Sequence, residues 1–458
     1  MFGSIDELKN FIKGKAEIAG DAIKIVDEAA FRNSIRELAA NAALSENETV
    51  RDAARWIIIE GGQELGIVLS SINDLYMAAG KGEYKGLSVP AVNLRGFTFD
   101  TAAAAFRSCL KKNNTAIVFE IARSEMEYTF QRPPEYTTEV MAAAISVGYR
   151  GPLFMQGDHF QLRRSKFLKD KPAEMQAVRD LIKEAVAGGY YNIDIDASTL
   201  VDIDQPTLIE EQRNNYEMTA EMTKYIREIQ PKGINISIGG EIGEVGDRNS
   251  TKEDLEAYME GYVKDLPAGI VGLSKVSVQT GTTHGGIPRP DGSVADVKLD
   301  FSVLEDLSKL SRDKWGMGGA VQHGASTLPD DLFHKFPATG CVEIHLATGF
   351  QNIIVDSKDF PADLRDKMYK WLDVNCANER KDGMTNEQFY YKSRKKAWGP
   401  FKSEIFNMPE AVRAKLGKDL EEKFDFLFEQ LGAVNTKDLV ADKVKLVRSK
   451  WPVRPKEL

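Results

Sequence analysis

The sequence predicts a (β/α)8 barrel with helical extensions at both ends, and three observations carry the prediction. Eight short runs rich in Val, Ile and Phe fall between residues 89 and 348, separated by amphipathic helical segments. Strict alternation of strand and helix implies parallel pairing through right-handed crossovers. The span from 89 to about 350 matches the roughly 250 residues such a barrel needs. The structural rival is an open doubly wound sheet, which carries a Gly-rich loop after its first strand. The corresponding loop here, NLRGFTFD (93–100), has a single glycine.

Taken in order, residues 1–87 read as a helical extension. RNSIRELAANAAL (32–44) and VRDAARWIIIEGGQELGIVLSSINDLYMAAG (50–80) space their apolar residues three and four apart. Residues 88–356 hold the barrel. Its strands are expected at VPAVNL (89–94), AIVFEI (116–121), LFMQGDH (153–159), NIDIDA (192–197), NISIGGEIG (235–243), KVSVQTG (275–281), GAVQHG (319–324) and VEIHLAT (342–348). Between them lie helices such as MQAVRDLIKEAVAGG (175–189), which ends in glycines, and STKEDLEAYMEGYV (250–263), which opens on the capping candidates Ser250 and Thr251. Residues 357–458 are helical again, and both extensions are expected to pack on the barrel or to build a homo-oligomer contact.

Composition narrows the function. The 69 acidic residues outnumber the 60 basic ones, giving a net charge of −9, which argues against a nucleic-acid partner. The longest strongly apolar runs, such as Trp56 to Ile59, fall far short of a membrane span. The start, MFGSIDELKN, has no signal-peptide pattern, and Cys109, Cys341 and Cys376 form no paired framework. Both point to a cytoplasmic protein.

The five histidines are the sharpest pointer. Barrel chemistry sits where strands end and βα loops begin. His159 ends the third strand, His284 follows the sixth, and His323 ends the seventh. His345 lies within the eighth strand, and His334 falls in a helix, DDLFHKF (330–336). A single histidine at a barrel mouth is more often an ordinary polar residue than a ligand. Three at equivalent strand ends reverse those odds and suggest one face of a divalent-cation site.

Carboxylates accompany them: Asp158, Asp194, Asp196 and Glu241. Neighbouring strand residues point to opposite faces, so Asp158 and His159 share a site only if the chain bends, and Gly157 permits a bend. Gly285, Gly286, Gly324, Ser326 and Thr348 fall after the last three strands, where barrels commonly bind phosphate. STLPDD (326–331) reads as a helix start in that region.

These segments together resemble the class II, metal-dependent ketose-bisphosphate aldolases, which include fructose- and tagatose-bisphosphate enzymes. The resemblance runs over about residues 74–356 and rests on seven segments in the family's order. They are VPAVNL, GDHF (157–160), IDAST (195–199), GGEIGEVG (239–246), TGTTHGG (280–286), VQHGAS (321–326) and HLATGFQN (345–352). It implies that His159, His284 and His323 ligate zinc or another divalent ion, with Glu241 and Asp196 at an alternate or outer cation position that a monovalent ion could also use. Asp158 would move the proton on the C4 hydroxyl of the ketose. Gly285, Gly324, Ser326 and Thr348 would hold the phosphate of the three-carbon ketone half, and Asn93 would contact substrate. The implied reaction is reversible cleavage of a phosphorylated ketose, fructose-1,6-bisphosphate-like, to dihydroxyacetone phosphate and an aldehyde such as glyceraldehyde 3-phosphate, a step of glycolysis.

The chain also departs from the family pattern. A lysine usually stands four residues after the histidine matched by His284; here that residue is Pro288, and Arg289, the neighbouring cation, is the candidate to bind substrate phosphate. His345 replaces the usual asparagine and is expected to form a further polar wall of the pocket, as a candidate substrate contact. The loop EVGDRNS (244–250) is short, leaving Glu244 and Asp247 as candidates for the base that deprotonates the three-carbon ketone. EIARSEMEY (120–128) puts Ala122 near a family serine and resembles the accessory subunit of tagatose-bisphosphate aldolase. Two other readings follow: a uronate C4-epimerase working by retro-aldol chemistry, and a non-catalytic accessory subunit. Gly324 and Ser326 favour a phosphorylated substrate over the epimerase, and the histidines with Asp158 exceed what a structural role requires. A Schiff-base aldolase is disfavoured because Lys275 opens its strand at the wrong end.

Overall fold

The computed structural model describes residues 1–243, 248–281, 289, 299–451 and 454–458. The N-terminal extension is not purely helical. A hairpin of β1 (Ala16–Ala19) and β2 (Ala22–Ile25) precedes helices Glu28–Leu44 and Glu48–Glu64, and a short strand, β3 (Ile67–Leu69), follows them. Asp27 and Asn47 cap the two helices, each accepting a hydrogen bond from a backbone N–H three residues on.

Eight parallel strands then close the barrel: β4 (Val89–Asn93), β5 (Val118–Ala122), β6 (Gly151–Gln161), β7 (Asn192–Asp196), β8 (Ser237–Glu241), β9 (Lys275–Val278), β10 (Ala320–Gln322) and β11 (Glu343–Leu346). Neighbours pair in sequence order, and β11 returns to β4. All eight expected strands are present. At 11 residues β6 is the longest, because it pairs with β3 as well as with its two barrel neighbours, β5 and β7. Its first residues pair with β3 (Ile67 opposite Gly151), and its last pair with β7 (Gln161 opposite Asp196). The sequence IVL fits either period, because three buried apolar residues look alike in a helix and in a strand; pairing with β6 makes it a strand.

Barrel interiors are commonly filled by Val, Ile and Leu. This one has a charged layer at its centre. Lys275, fully buried on β9, donates to Gln156 Oε1 at 2.8 Å and Asp194 Oδ2 at 2.9 Å, and also to Glu343. Gln156 in turn donates to Glu120 Oε2 and Glu343 Oε1, both at 2.9 Å, and the Tyr76 hydroxyl caps Glu343 from below. Burial alone would lower the Lys275 ammonium, but Asp194 and Glu343 overcome it and raise it. Lys275 is therefore an ion-paired cation, not a free amine.

Helix Pro133–Val147 is almost wholly buried because it lies between the barrel and the N-terminal helices. The C-terminal extension packs back on the barrel. Helix Glu410–Gln430 lies along helix Thr98–Lys112, with Phe424 stacked on Phe350 at 4.8 Å between ring centroids. All three cysteines are buried free thiols. Among the described residues no helix is long and apolar enough to cross a membrane.

Candidate functional site

Side chains from the C-terminal ends of the strands surround a cavity of about 940 Å³. The local device that builds it is a bulge in β6. The β6–β7 register shifts between Gly157 and Phe160, and His159 adopts a left-handed φ of +40°. The bend anticipated from the sequence is there, but Gly157 does not supply the unusual dihedral. Its missing side chain makes room for Phe160, whose ring atoms lie 2.4 Å from where a Cβ would be. The bulge turns both Asp158 and His159 toward the mouth, which a regular strand forbids.

His159 Nε2 and His323 Nδ1 face each other at 3.0 Å. On the far side of its ring, His159 Nδ1 lies 3.2 Å from Asp196 Oδ2, while His323 Nε2 lies 3.0 Å from Ser277 Oγ. If Asp196 and Ser277 take the ring N–H groups, the two inner nitrogens present lone pairs to each other, an arrangement that calls for a cation between them. A tetrahedral ion with bonds of about 2.0–2.1 Å separates its donor atoms by about 3.3 Å. Asp158 Oδ1 lies 3.7 Å from His159 Nε2, and Asp158, His159 and His323 form one of three groups of described residues with converging donor atoms. The donors present therefore fit a divalent metal.

The surrounding charges are strongly acidic. Burial alone would depress the His159 imidazole, but Asp158, Asp196 and Glu241 raise it well above its ordinary value. Burial works against the Asp196 carboxylate too, yet hydrogen bonds from His159, Ser198 and Gln161 hold it below the usual range. Glu241 lacks comparable donors, and burial pushes it up to about 8. His345 sits deeper. Its Nδ1 lies 2.9 Å from Glu120 Oε2 and 3.3 Å from Asp158 Oδ1, and its Nε2 lies 2.6 Å from Glu343 Oε1. It links the charged layer of the barrel to Asp158.

Asn93, Asp158, His159, Asp196, Glu241, His323, Gly324, Ser326, His345 and Thr348 all line the cavity. Asn93 Nδ2 donates to Glu125 Oε2 at 2.5 Å and lies 3.5 Å from Asp158 Oδ2. Asp196 stands behind the His159 ring, and Glu241 Oε2 lies 3.7 Å from His323 Nε2, so neither carboxylate is beside the two facing nitrogens. Arg289 is exposed and is not among the residues lining the cavity. His284, Gly285, Glu244 and Asp247 lie outside the described residues. The helix start expected at 326–331 is instead two single turns of 3-10 helix, Ala325–Thr327 and Asp330–Leu332, separated by Pro329. His334 is exposed, in the turn before helix Lys335–Thr339 rather than in a helix body.

The cavity also holds residues that sequence reasoning missed. Arg95 follows β4, Glu120 lies on β5 and Glu125 on the helix after it, Arg123–Thr129, while Tyr391, Lys392, Lys395 and Lys396 come from the C-terminal extension. The run SRKKAW (393–398) was the available signal, but nothing local says that it reaches the barrel mouth. It is fixed there by Trp398. The indole occupies the space where a Cβ on Gly96 would stand, 2.2 Å from Cε3, and its Nε1 donates to Gln351 Oε1 at 3.0 Å.

A family model and one solved structure agree with this fold. The sequence profile of the family described as "Fructose-bisphosphate aldolase class-II" matches residues 71–402. A fructose-bisphosphate aldolase structure from Campylobacter jejuni is 17% identical, with a TM-score of 0.48, covering 81% of this chain and 97% of its own. A structure described as a probable tagatose 6 phosphate kinase from Sinorhizobium meliloti 1021 is 16% identical, with a TM-score of 0.53, covering 78% of this chain and 98% of its own. The YdjI aldolase of Escherichia coli K12 is 12% identical with a TM-score of 0.43, covering 80% of this chain and 98% of its own. No curated protein matches the chain in sequence. With the profile spanning most of the chain and the barrel closed as described, the chain belongs to the class II fructose-bisphosphate aldolase family.

Proposed function

We propose that this protein is a zinc-dependent aldolase that reversibly cleaves a phosphorylated ketose, fructose-1,6-bisphosphate-like, to dihydroxyacetone phosphate and an aldehyde such as glyceraldehyde 3-phosphate. The observation that carries the reading is the pair of imidazole nitrogens facing each other at 3.0 Å with the Asp158 carboxylate beside them. His159 and His323 would hold the metal, with His284 as the third ligand. A divalent ion bound there supplies Lewis acidity to the ketone carbonyl.

The remaining chemistry falls to the chain's own groups. Asp158 takes the proton of the C4 hydroxyl as the C3–C4 bond breaks and returns it in condensation. Asn93 and His345 flank that carboxylate and fix its direction. Asp196 and Ser277 hold the ligand rings in one tautomer. Gly324, Ser326 and Thr348 take the phosphate of the ketone half, and Glu244 or Asp247 serves as the base on that half. The metal-loaded protein should be incubated with fructose-1,6-bisphosphate, tagatose-1,6-bisphosphate and unphosphorylated uronates. Release of triose phosphate from a bisphosphate supports the aldolase; formation of an epimer without triose release removes it.

A further inference from the structure

The cavity is electrically divided. Its floor carries the carboxylates of Glu120, Asp158, Asp196 and Glu241, and its rim carries cations from the segments after β4, β5 and β6 and from the C-terminal extension. Most rim cations are already paired. Arg123 Nη1 donates to Glu174 at 2.5 Å, Arg163 Nη2 donates to Glu127 at 2.5 Å, and Lys396 donates to Glu379.

Lys392 and Lys395 differ: among the described residues neither makes a hydrogen bond or ion pair. Lys392 is exposed, whereas Lys395 is half-buried, its ammonium 5.9 Å from the centroid of the Tyr128 ring. Burial and the neighbouring Arg95 push it below its ordinary value, the situation of a cation without its anion. Glu125, a carboxylate whose charge acts on Lys395, is already committed. It accepts from Asn93 Nδ2, from the Ala122 N–H at 2.9 Å and from Arg95 Nε at 2.7 Å. Arg95 then extends Nη1 to the Thr348 hydroxyl at 3.2 Å, so its outer edge lies on the wall that carries Ser326 and Thr348. Trp398 holds Lys395 in place, and so does Arg394, whose guanidinium donates to Asn352 at 2.6 Å and to Asp356.

Resting on the aldolase reading, we infer that Arg95 and Lys395 together bind an anionic end group of the substrate, and that this group is a phosphate monoester. The donor set selects it. Arg95 is charge-compensated by Glu125, yet its Nη edge, the Lys395 ammonium and the Thr348 hydroxyl offer more donors than the two oxygens of a carboxylate use, whereas a phosphate monoester brings three acceptor oxygens and about −1.5 to −2 of charge at neutral pH. Three acceptor oxygens also suit a guanidinium edge, an ammonium and a hydroxyl converging from different elements. The C-terminal extension thus completes the substrate pocket, which explains why it is bolted to the barrel mouth.

The test is calorimetric binding to the metal-loaded protein, with glycerol 3-phosphate and glucuronate as probes, beside KM and kcat on the bisphosphate that is cleaved. Lys395→Met is expected to weaken glycerol 3-phosphate binding at least tenfold and to raise KM more than it lowers kcat, with metal content unchanged. Lys395→Arg should recover part of the binding. Equal affinity of wild type and Lys395→Met for glycerol 3-phosphate would overturn the inference while leaving the aldolase reading intact. Glucuronate binding as tightly as glycerol 3-phosphate, with the same loss in Lys395→Met, would overturn the phosphate assignment. Absence of any ketose cleavage counts against the aldolase reading alone, since the binding comparison is still read directly.

Discussion

Replacing Gly157 by alanine tests how the β6 bulge builds the proposed metal site. The added methyl would lie 2.4 Å from Cε1 and Cζ of Phe160 and 3.0 Å from Cδ1. Phe160 is fully buried and lies opposite Ile195 in the β6–β7 pairing, so the ring has no room to swing away. Overpacking of this kind costs about 1–3 kcal/mol. With an unfolding entropy of about 2.1 cal/mol/K per residue, a chain of 458 residues loses about 1 °C in Tm per kcal/mol, so the drop should be about 1–3 °C. The larger effect falls on function. His159 sits between the two clashing residues at φ +40°, and any relief of the clash moves its ring relative to His323. Metal affinity, measured by competition with a chromogenic chelator, should fall about 10–100-fold, the range seen when ligand orientation is lost. Phe160→Leu in the Gly157→Ala background should restore most of it, with a coupling of about 0.5–3 kcal/mol between the two sites. A Gly157→Ala protein that melts and binds metal like wild type would refute the account of the bulge.

The other predictions concern the site, the charged layer and one remote carboxylate. His323→Ala should lose bound metal and all cleavage, whereas Asp158→Ala should keep its metal and lose about 10²–10⁴-fold in kcat; metal analysis beside steady-state kinetics separates the two. Lys275→Met leaves Asp194 and Glu343 buried without their cation, which should cost about 3–5 kcal/mol and lower Tm by about 3–5 °C; an unchanged melt would mean the layer is not ion-paired. Burial and the neighbouring Glu135 push Glu139, only 3% exposed, up to about 8. Folding therefore favours its neutral form, a contribution fully present below about pH 4.3 and lost as pH rises through about 8. Glu139→Gln should accordingly stabilise the protein against wild type more at pH 9 than at pH 5, and an equal Tm difference at both would count against the assignment.

Much of this architecture was legible in the chain. The eight strands stand out because each is a short buried run bounded by turns, and the histidines because three mark equivalent strand ends. The need for a bend at GDHF followed from strand periodicity alone, although the steric role of Gly157 did not. Contacts across long separations were not legible. Glu120, Gln156, Lys275 and Glu343 look like ordinary strand residues until the barrel closes and brings them together. Hairpin Ala16–Ala19 with Ala22–Ile25 lies in a segment read as helical, since four-residue strands offer too few repeats to establish a period. Lys395 reads as one charge among several on a helical flank, and the docking of Trp398 on Gly96 and of Arg394 on Asn352 and Asp356 brings it to the mouth. The 326–331 segment carries a helix-start signature, but Pro329 interrupts it before a helical turn is complete.

The central claim is that the two facing histidines and Asp158 form a metal-dependent carbon–carbon lyase. Its most direct test is cleavage of a ketose bisphosphate, followed by triose phosphate release, in protein stripped with chelator and then titrated with zinc. The account predicts no cleavage in the stripped protein and full recovery at one equivalent per chain. Undiminished cleavage by the metal-free protein would contradict it.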